Sequence, residues 1–579
     1  MTGWSLDPSF AHGIERFAPG WPGRLVDCAM GGLTGPRRMP RRPRARISDR
    51  AALEKQLGSL PVIADYSRRL DLAGIIDRAC PVREVAAVSH GQVIEVLIAN
   101  RLTGPRPMVA VADWARDWAV EEVYGIRADL LNDDRLARAL DAVAPRLDQL
   151  VGSIGAQAVQ EFGIDVTRIH WDMTSMSLHG SYDRVEEGYP VPTWGHPKDR
   201  RADLKQIQAG IAVTADGGIP VFHRAYDGNA GEVAQVVDTM EQLRALADRR
   251  TFLLIGDSKL ISYTNVTAMI EAKVTFIAPL ASARVPAGLF AGLDPATATE
   301  VEYTAERDRD AVWPYRATYR VGEDVMDLAG PRKKDPVHRL RRILVHSSGN
   351  ATAAVKARAL KLAHARKDLD TLTRTAGTRH HPTVEAVTAK ADQIAAHRKV
   401  KFALRTCVGV DDTGKPTFTW SFDQDALDDQ AAGDGWYALL TNHGPDLDAT
   451  EIFSRYKDQP AVERRYGEFK GPLAVAPIFL QNNRRISALI TVICLALLIY
   501  CLIERQVRLA LAPDTDMIGF YHNDRRAMKP TARLILRELD GLRLVPGQHD
   551  QPPTIPKPTW LQTQLLQLLQ VDPTQPRWP

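Results

Sequence analysis

Hydrophobic positions along this chain recur with two periods, and the change from one to the other divides it. From about Leu53 to Phe162 apolar residues fall three and four apart, as in GQVIEVLIANRL and LNDDRLARALDAV, the spacing of helices with one buried face. Asn132 or Asp133 stands where the second of these helices needs a cap. At Val166 the period shortens. VTRIHWDMTSMSLHG is rich in β-branched and aromatic residues and predicts a strand. Ile207, Ala209, Ile211 and Val213 alternate, Asp216-Gly217-Gly218 makes a turn, and Pro220 to Tyr226 returns as a third strand. A helix (GEVAQVVDTMEQLRALA), the unbroken apolar run Phe252–Ile255, a second helix (YTNVTAMIEAK) and the strand VTFIAPL follow. Such a short unbroken run predicts a strand buried on both faces.

Three antiparallel strands followed by alternating helices and strands predict an α/β fold, a mixed five-stranded sheet covered by helices. That order matches a ribonuclease H-like catalytic core. The pattern is interrupted from about residue 286 to 430, where strand-like pieces (VWPYRATYRV, FTWSF) accompany a long helical stretch. Val355, Ala359, Leu362 and Leu369 fall near a heptad stripe there, so the interruption reads as a β-rich insertion carrying a helical hairpin. Gly435 to Leu440 reads as a strand returning to the main sheet. The expected organisation is a basic arm (1–50), an all-helical N-terminal domain (51–160), the first part of the core (161–285), the insertion (286–430), the second part of the core (431–512), and a C-terminal helical region and tail (513–579) ending in the amphipathic WLQTQLLQLLQ.

Composition changes this picture at three places. Ile486 to Ile503 is apolar for long enough to cross a membrane, or to form a fully buried core helix; a lone span near the end of a charged chain has no evident purpose, and we expect the buried helix and no membrane partner. The segment Arg37–Arg50 is dense in arginine and interrupted by proline, so it buries nothing and reads as a disordered basic arm or a solvated linker. With a net charge of +4, nucleic-acid binding is permitted but not demanded. None of the five cysteines forms a C-x-x-C pair, which argues against a zinc finger or disulfide framework and fits a reducing cytoplasm. No secretory signal is expected.

The candidate chemistry is acidic. Asp172 lies inside the first strand, between Trp171 and Met173, and Asp257 follows Gly256 at the C-terminal end of the apolar strand. Alone, each fits a cap, a turn or a salt bridge. On neighbouring strands their carboxylates face each other and repel unless a cation lies between them. In YKDQPAVERRYGEFK, Tyr456, Gln459, Glu463 and Lys470 stand near one helical stripe, with Pro460 in the first turn. Carboxylate oxygens suit magnesium, and a pair of such ions about 3.5–4 Å apart suits phosphodiester cleavage and joining.

These blocks resemble the DDE transposases of the IS4-type group, most closely the IS1634-like insertion-sequence transposases. The resemblance is carried by HWDMTSMSLHG, LLIGDSKLIS, LNDDRLARALD, DLKQIQAGIAVTADGGIPV, YKDQPAVERRYGEFKGPLAV and PTARLILREL. It spans residues 60 to 545. Tyr456, Glu463 and Lys470 match the group's pattern, whereas Gln459 stands where arginine is usual and Ser258 replaces an arginine often found after the second aspartate. The resemblance implies a ribonuclease H-like core in which Asp172, Asp257 and Glu463 are catalytic and bind two Mg2+ (or Mn2+) ions. It implies that Tyr456, Gln459 and Lys470 contact DNA, and that the protein cuts element ends and transfers them into target DNA, as a homodimer on paired ends. Trp313 and Trp420 are candidates for holding a flipped base, or are core. The basic arm, the Lys356–Arg366 helix and the N-terminal helical domain are candidate surfaces for reading the terminal repeats. The loop containing His196 and Lys198 reads as a solvated polar loop, or as one that approaches the substrate. The alternative is a transposase-derived DNA-binding protein without catalysis.

Overall fold

The computed structural model describes residues 54–183, 185–247, 251–286, 288–304, 316–457, 460–471, 473, 480–511, 515–520, 527–545 and 552–573. The basic arm, Trp313 and Gln459 lie outside them. The chain forms two units, one of residues 348–435 and one comprising the remaining described residues.

The larger unit opens with helices, as the apolar spacing predicts. Helix His90–Thr103 starts in a capping box made by Ser89 and Gln92. Asn132, not Asp133, caps helix Asp133–Val143, its side chain accepting from the Arg135 N–H. The two-residue strand β1 (Lys55–Gln56) pairs with β13 (Arg543–Leu544), so the two ends of this unit are joined.

At Arg168 the sheet begins. Its strands are β2 (Arg168–Leu178), β3 (Lys205–Thr214), β4 (Pro220–Tyr226), β5 (Leu253–Ile255), β6 (Thr275–Pro279), β7 (Thr299–Val301), β8 (Tyr319–Leu328), β9 (His338–Ser347) and β12 (Trp436–Thr441). They lie in the order β4-β3-β2-β5-β6-β12-β9-β8-β7. β2, β3 and β4 are antiparallel, and β2, β5 and β6 are parallel, as the strand pattern predicts. The expectation of five strands is corrected to nine. β12 pairs with β6 on one side and β9 on the other, so β7 to β9 prolong the main sheet. The residues assigned to the insertion therefore divide, and only 348–435 form a separate unit.

Strand alternation decides which layer each face meets. Ile207, Ala209, Ile211 and Val213 share one core with helix Asn483–Ala510 and the N-terminal helices. On the other face, Trp171, Met173, Ala212 and Phe222 pack on Val236, Met240 and Leu243 of helix Glu232–Leu246. Helix Ala449–Tyr456 covers the prolonged part of the sheet through Ile452 and Phe453. The 28-residue helix Asn483–Ala510 is the one described helix long and apolar enough to cross a membrane, and its apolar window is wholly buried. It packs against helices His90–Thr103 and Asp133–Val143, strand β4 and helix Trp560–Leu569.

The turn between β3 and β4 holds Gly217 at φ +78° and Gly218 at φ +63°, where glycine has no Cβ penalty. Arg505 clasps Asp216 beside them with N–O distances of 3.0 and 2.6 Å.

His223 on β4 is buried, and its Nε2 has no hydrogen-bond partner among the described residues. Burial pushes the imidazole down to about 3. The folded state thus refuses a proton that the unfolded chain takes up below about pH 6.5, and stability falls as pH drops from there toward 3. We expect His223→Leu to remove about 3 kcal/mol of the loss between pH 6.5 and 4, measured by urea unfolding across that range. Parallel pH profiles for the two proteins would rule this out.

The smaller unit holds helices Ser348–Thr375 and Val384–Arg398 and the hairpin β10 (Leu404–Val410) and β11 (Pro416–Phe422). Its core corrects the heptad expectation: Ala365, Leu369 and Leu372 are buried with Val387 and Ile394, while Val355 is exposed. Trp420 packs edge-on against Phe422 at 5.3 Å and borders this core.

Candidate active site

The two aspartates meet because of strand register. His170 pairs with Ile255 across the parallel strands β2 and β5. Asp172 stands two residues further along β2, on the same face as His170, and Asp257 stands two residues past Ile255, in extended backbone just beyond the end of β5. Asp257 caps the turn Ser258–Leu260, accepting from the Lys259 N–H at 2.8 Å. Asp172 accepts from the Met173 N–H at 2.8 Å.

A third acid that the sequence reading passed over joins them. Glu232 is the first residue of helix Glu232–Leu246 and is buried. One carboxylate oxygen from each of Asp172, Glu232 and Asp257 lies within 4.8 Å of the other two. Nothing local marks Glu232 out, since acidic residues are common in the first turn of helices.

Glu463 approaches from another direction. Helix Pro460–Lys470 begins at the proline, as predicted, with Glu463 in its first turn. Tyr466 on the same helix donates from its hydroxyl to the Asp172 carbonyl and accepts from the Ile211 N–H at 3.1 Å. Arg465 donates to the Gly218 and Gly217 carbonyls at 3.0 and 2.6 Å and pairs with buried Glu504 at 3.1 Å. These contacts fasten the Glu463 helix across β2 and β3. Glu463 stands outside the trio of acids within 4.8 Å but near enough to Asp172 to feel its charge.

Electrostatics agree with this placement. Burial and the charges of Asp257 and Asp172 raise Glu232 to about 7, with Lys259 opposing. Burial raises Asp257 further than its hydrogen bond from Lys259 lowers it, and Asp172 adds to the rise. Desolvation and Asp172 raise Glu463 against Lys198. Tyr456, at the end of the preceding helix, is pushed up to about 12 by burial and by Glu463 and Asp257. Desolvation and Lys198 lower Lys470, with Asp199 and Asp172 opposing.

The loop is solvated as read, with His196 and Lys198 exposed, and it also reaches the site. Lys198 donates to the Met173 carbonyl at 2.6 Å and lies 3.6 Å from Asp172 Oδ2. Lys259 pairs with Glu232 at 2.6 Å. A loop lysine carries no local mark of the strand it folds against, so sequence spacing had no means of finding either contact.

Four carboxylates therefore face two close lysines and Lys470. Two unit charges within 4.8 Å of each other repel by about 3.5 kcal/mol or more at an effective dielectric of 20. The cluster is an all-oxygen donor set without His or Cys, and Glu232 Oε1 is buried with no hydrogen-bond partner among the described residues. Such a set fits a hard divalent cation. We expect Asp257→Asn to stabilise the chelator-treated protein by about 1–2 kcal/mol, since the amide keeps the acceptor for Lys259 and removes the repulsion. Thermal melts in EDTA test this; an unchanged or lowered Tm would mean that the acids do not strain the metal-free fold.

A family model described as a domain of unknown function (DUF4277) matches residues 53–150. No curated protein matches the chain. Among solved structures, a piggyBac transposase synaptic complex with hairpin DNA is similar at 8% identity over 82% of this chain and 79% of that one, with a TM-score of 0.35. A Mos1 transposase paired-end complex with the left transposon end is similar at 10% identity over 34% of this chain and 60% of that one, with a TM-score of 0.14. At these values neither carries an argument, and the reading of the site rests on its own geometry.

Proposed function

We propose that this chain is a DDE-type transposase with a ribonuclease H-like core, of the IS4 group and its IS1634-like branch, which cuts the ends of a DNA element and joins them to target DNA. The observation that carries the proposal is the meeting of Asp172, on β2, with Asp257, just past the end of the adjacent parallel strand β5, with the Glu463 helix fastened over them by Tyr466 and Arg465. Asp172, Asp257 and Glu463 would hold Mg2+ or Mn2+, two ions in the working complex. When bound, such ions activate the attacking oxygen and neutralise the leaving one.

The remaining work falls to the chain's own side chains. Lys198 and Lys470 make the rim of the site cationic and would hold the phosphates next to the scissile bond. Tyr456 stays protonated at neutral pH, pushed up to about 12, and is a hydrogen-bond donor to a phosphate oxygen. Gln459 would offer an amide there in place of a charge. The sheet fixes Asp172 and Asp257 close together, and the ties made by Tyr466 and Arg465 hold the Glu463 helix beside them. Paired element ends would be served by two copies of the chain, acting in the cytoplasm on the nucleoid.

The test uses DNA bearing the inverted repeats that flank the encoding gene. With Mg2+, the purified protein is expected to release a 3′-hydroxyl at the element end and to join it to a second duplex. Binding without cleavage in either Mg2+ or Mn2+ would instead mark a DNA-binding protein without catalysis.

A further inference from the structure

Glu232 is the acid in this cluster to which the DDE pattern gives no role. It sits at the first position of its helix, which packs on the sheet through Val236, Met240 and Leu243. It is 6% exposed. One oxygen, Oε2, takes Lys259 at 2.6 Å. The other, Oε1, is buried with no hydrogen-bond partner among the described residues, and the side chain lies in the trio whose oxygens fall within 4.8 Å of one another. A buried carboxylate oxygen left without a donor is costly, and a bound cation at the centre of the trio removes that cost.

We infer that Glu232 is a direct ligand of the cation at this site, completing with Asp172 and Asp257 a three-carboxylate set on the DNA-free protein. The inference rests on the proposed function above and adds a ligand to it. Glu463 stands outside the trio and so belongs to the arrangement completed with DNA. Lys259 occupies the position of a counter-ion to Glu232 and competes with the metal for it.

Mn2+ alone is the probe, titrated into the full-length, DNA-free protein and followed by the electron paramagnetic resonance signal of the free ion. Glu232→Gln removes the charge with little change of shape. Glu232→Asp keeps the charge but withdraws the oxygen by one methylene. Lys259→Met removes the competing cation. A ligand role predicts that both Glu232 variants raise the Mn2+ Kd by ~10-fold or more and that Lys259→Met lowers it.

If Glu232→Asp binds Mn2+ as the parent does, Glu232 acts through its charge alone and the inference fails. If Lys259→Met weakens binding as much as the Glu232 variants, the task of Glu232 is to hold Lys259, and the inference fails again. In both cases loss of binding in Asp172→Asn and Asp257→Asn would leave the proposed function standing. A parent protein that binds no Mn2+ at millimolar concentration would sink both. Melts in EDTA establish that each variant is folded.

Discussion

Asparagine at 172 or 257, or glutamine at 463, is expected to lower Mg2+-dependent cleavage of element-end DNA by ~10³-fold or more, while affinity for that DNA changes less than ~threefold. Each substitution is nearly isosteric, so packing survives. At Asp257 the amide oxygen still accepts from the Lys259 N–H. On the proposed reading, what disappears is one negative oxygen that holds the cation stabilising a developing transition state, and a thousandfold loss corresponds to about 4 kcal/mol. DNA affinity is governed by counterion release at basic surfaces, and the acids contribute nothing favourable to it. Gel-based cleavage and filter binding on the same preparations separate the two effects. A variant that cleaved within ~tenfold of the parent would remove its residue from the catalytic set.

Arg465→Met is expected to cost about 3–5 kcal/mol of stability, the largest loss we foresee from a residue outside the acid cluster. The guanidinium and the Glu504 carboxylate are both 4% exposed. Removing the cation leaves Glu504 buried with Arg508 at 3.2 Å and the Ala532 N–H at 3.0 Å, and frees the Gly217 and Gly218 carbonyls as well. In the intact protein burial pushes the Glu504 carboxyl up, but Arg465 first and then Arg508 hold it below its ordinary value. A carboxyl lowered in the folded state contributes stability above the usual carboxylate range and loses it as pH falls through that range. The deficit of Arg465→Met should therefore be large at pH 7 and shrink below about pH 4.5, where Glu504 can take a proton. Urea unfolding at the two pH values tests this. A deficit under about 1 kcal/mol at pH 7 would show that Arg465 is not what ties the Glu463 helix down.

Local pattern carried a good part of the site. The alternation after Val166 placed Asp172 on a strand, the hydrophobic run Phe252–Ile255 placed Asp257 at the end of another, and their approach followed from making those strands neighbours. Pro460 marked where the Glu463 helix starts. The apolar segment near residue 490 was legible as a core helix. Against that, the extent of the sheet was not legible. Strands β8 and β9 show a strand pattern, but nothing in it says that β9 pairs with β12 and not with a sheet of its own.

Spacing along this chain determined which residues are helical or extended and which face each side chain takes, because side-chain direction repeats every 2 residues in a strand and every 3.6 in a helix. It thereby set the side that Asp172 takes on its strand and marked Glu463 as opening a helix. Tertiary structure alone decided that Glu232 and Lys198 reach those aspartates, that Lys259 pairs with Glu232, that Tyr466 binds its helix to β2 and β3, and that Arg465 binds it to the β3–β4 turn. Those meetings join residues tens to hundreds of positions apart. They depend on how separate elements pack against one another, a sum of many small contact energies that no local period records.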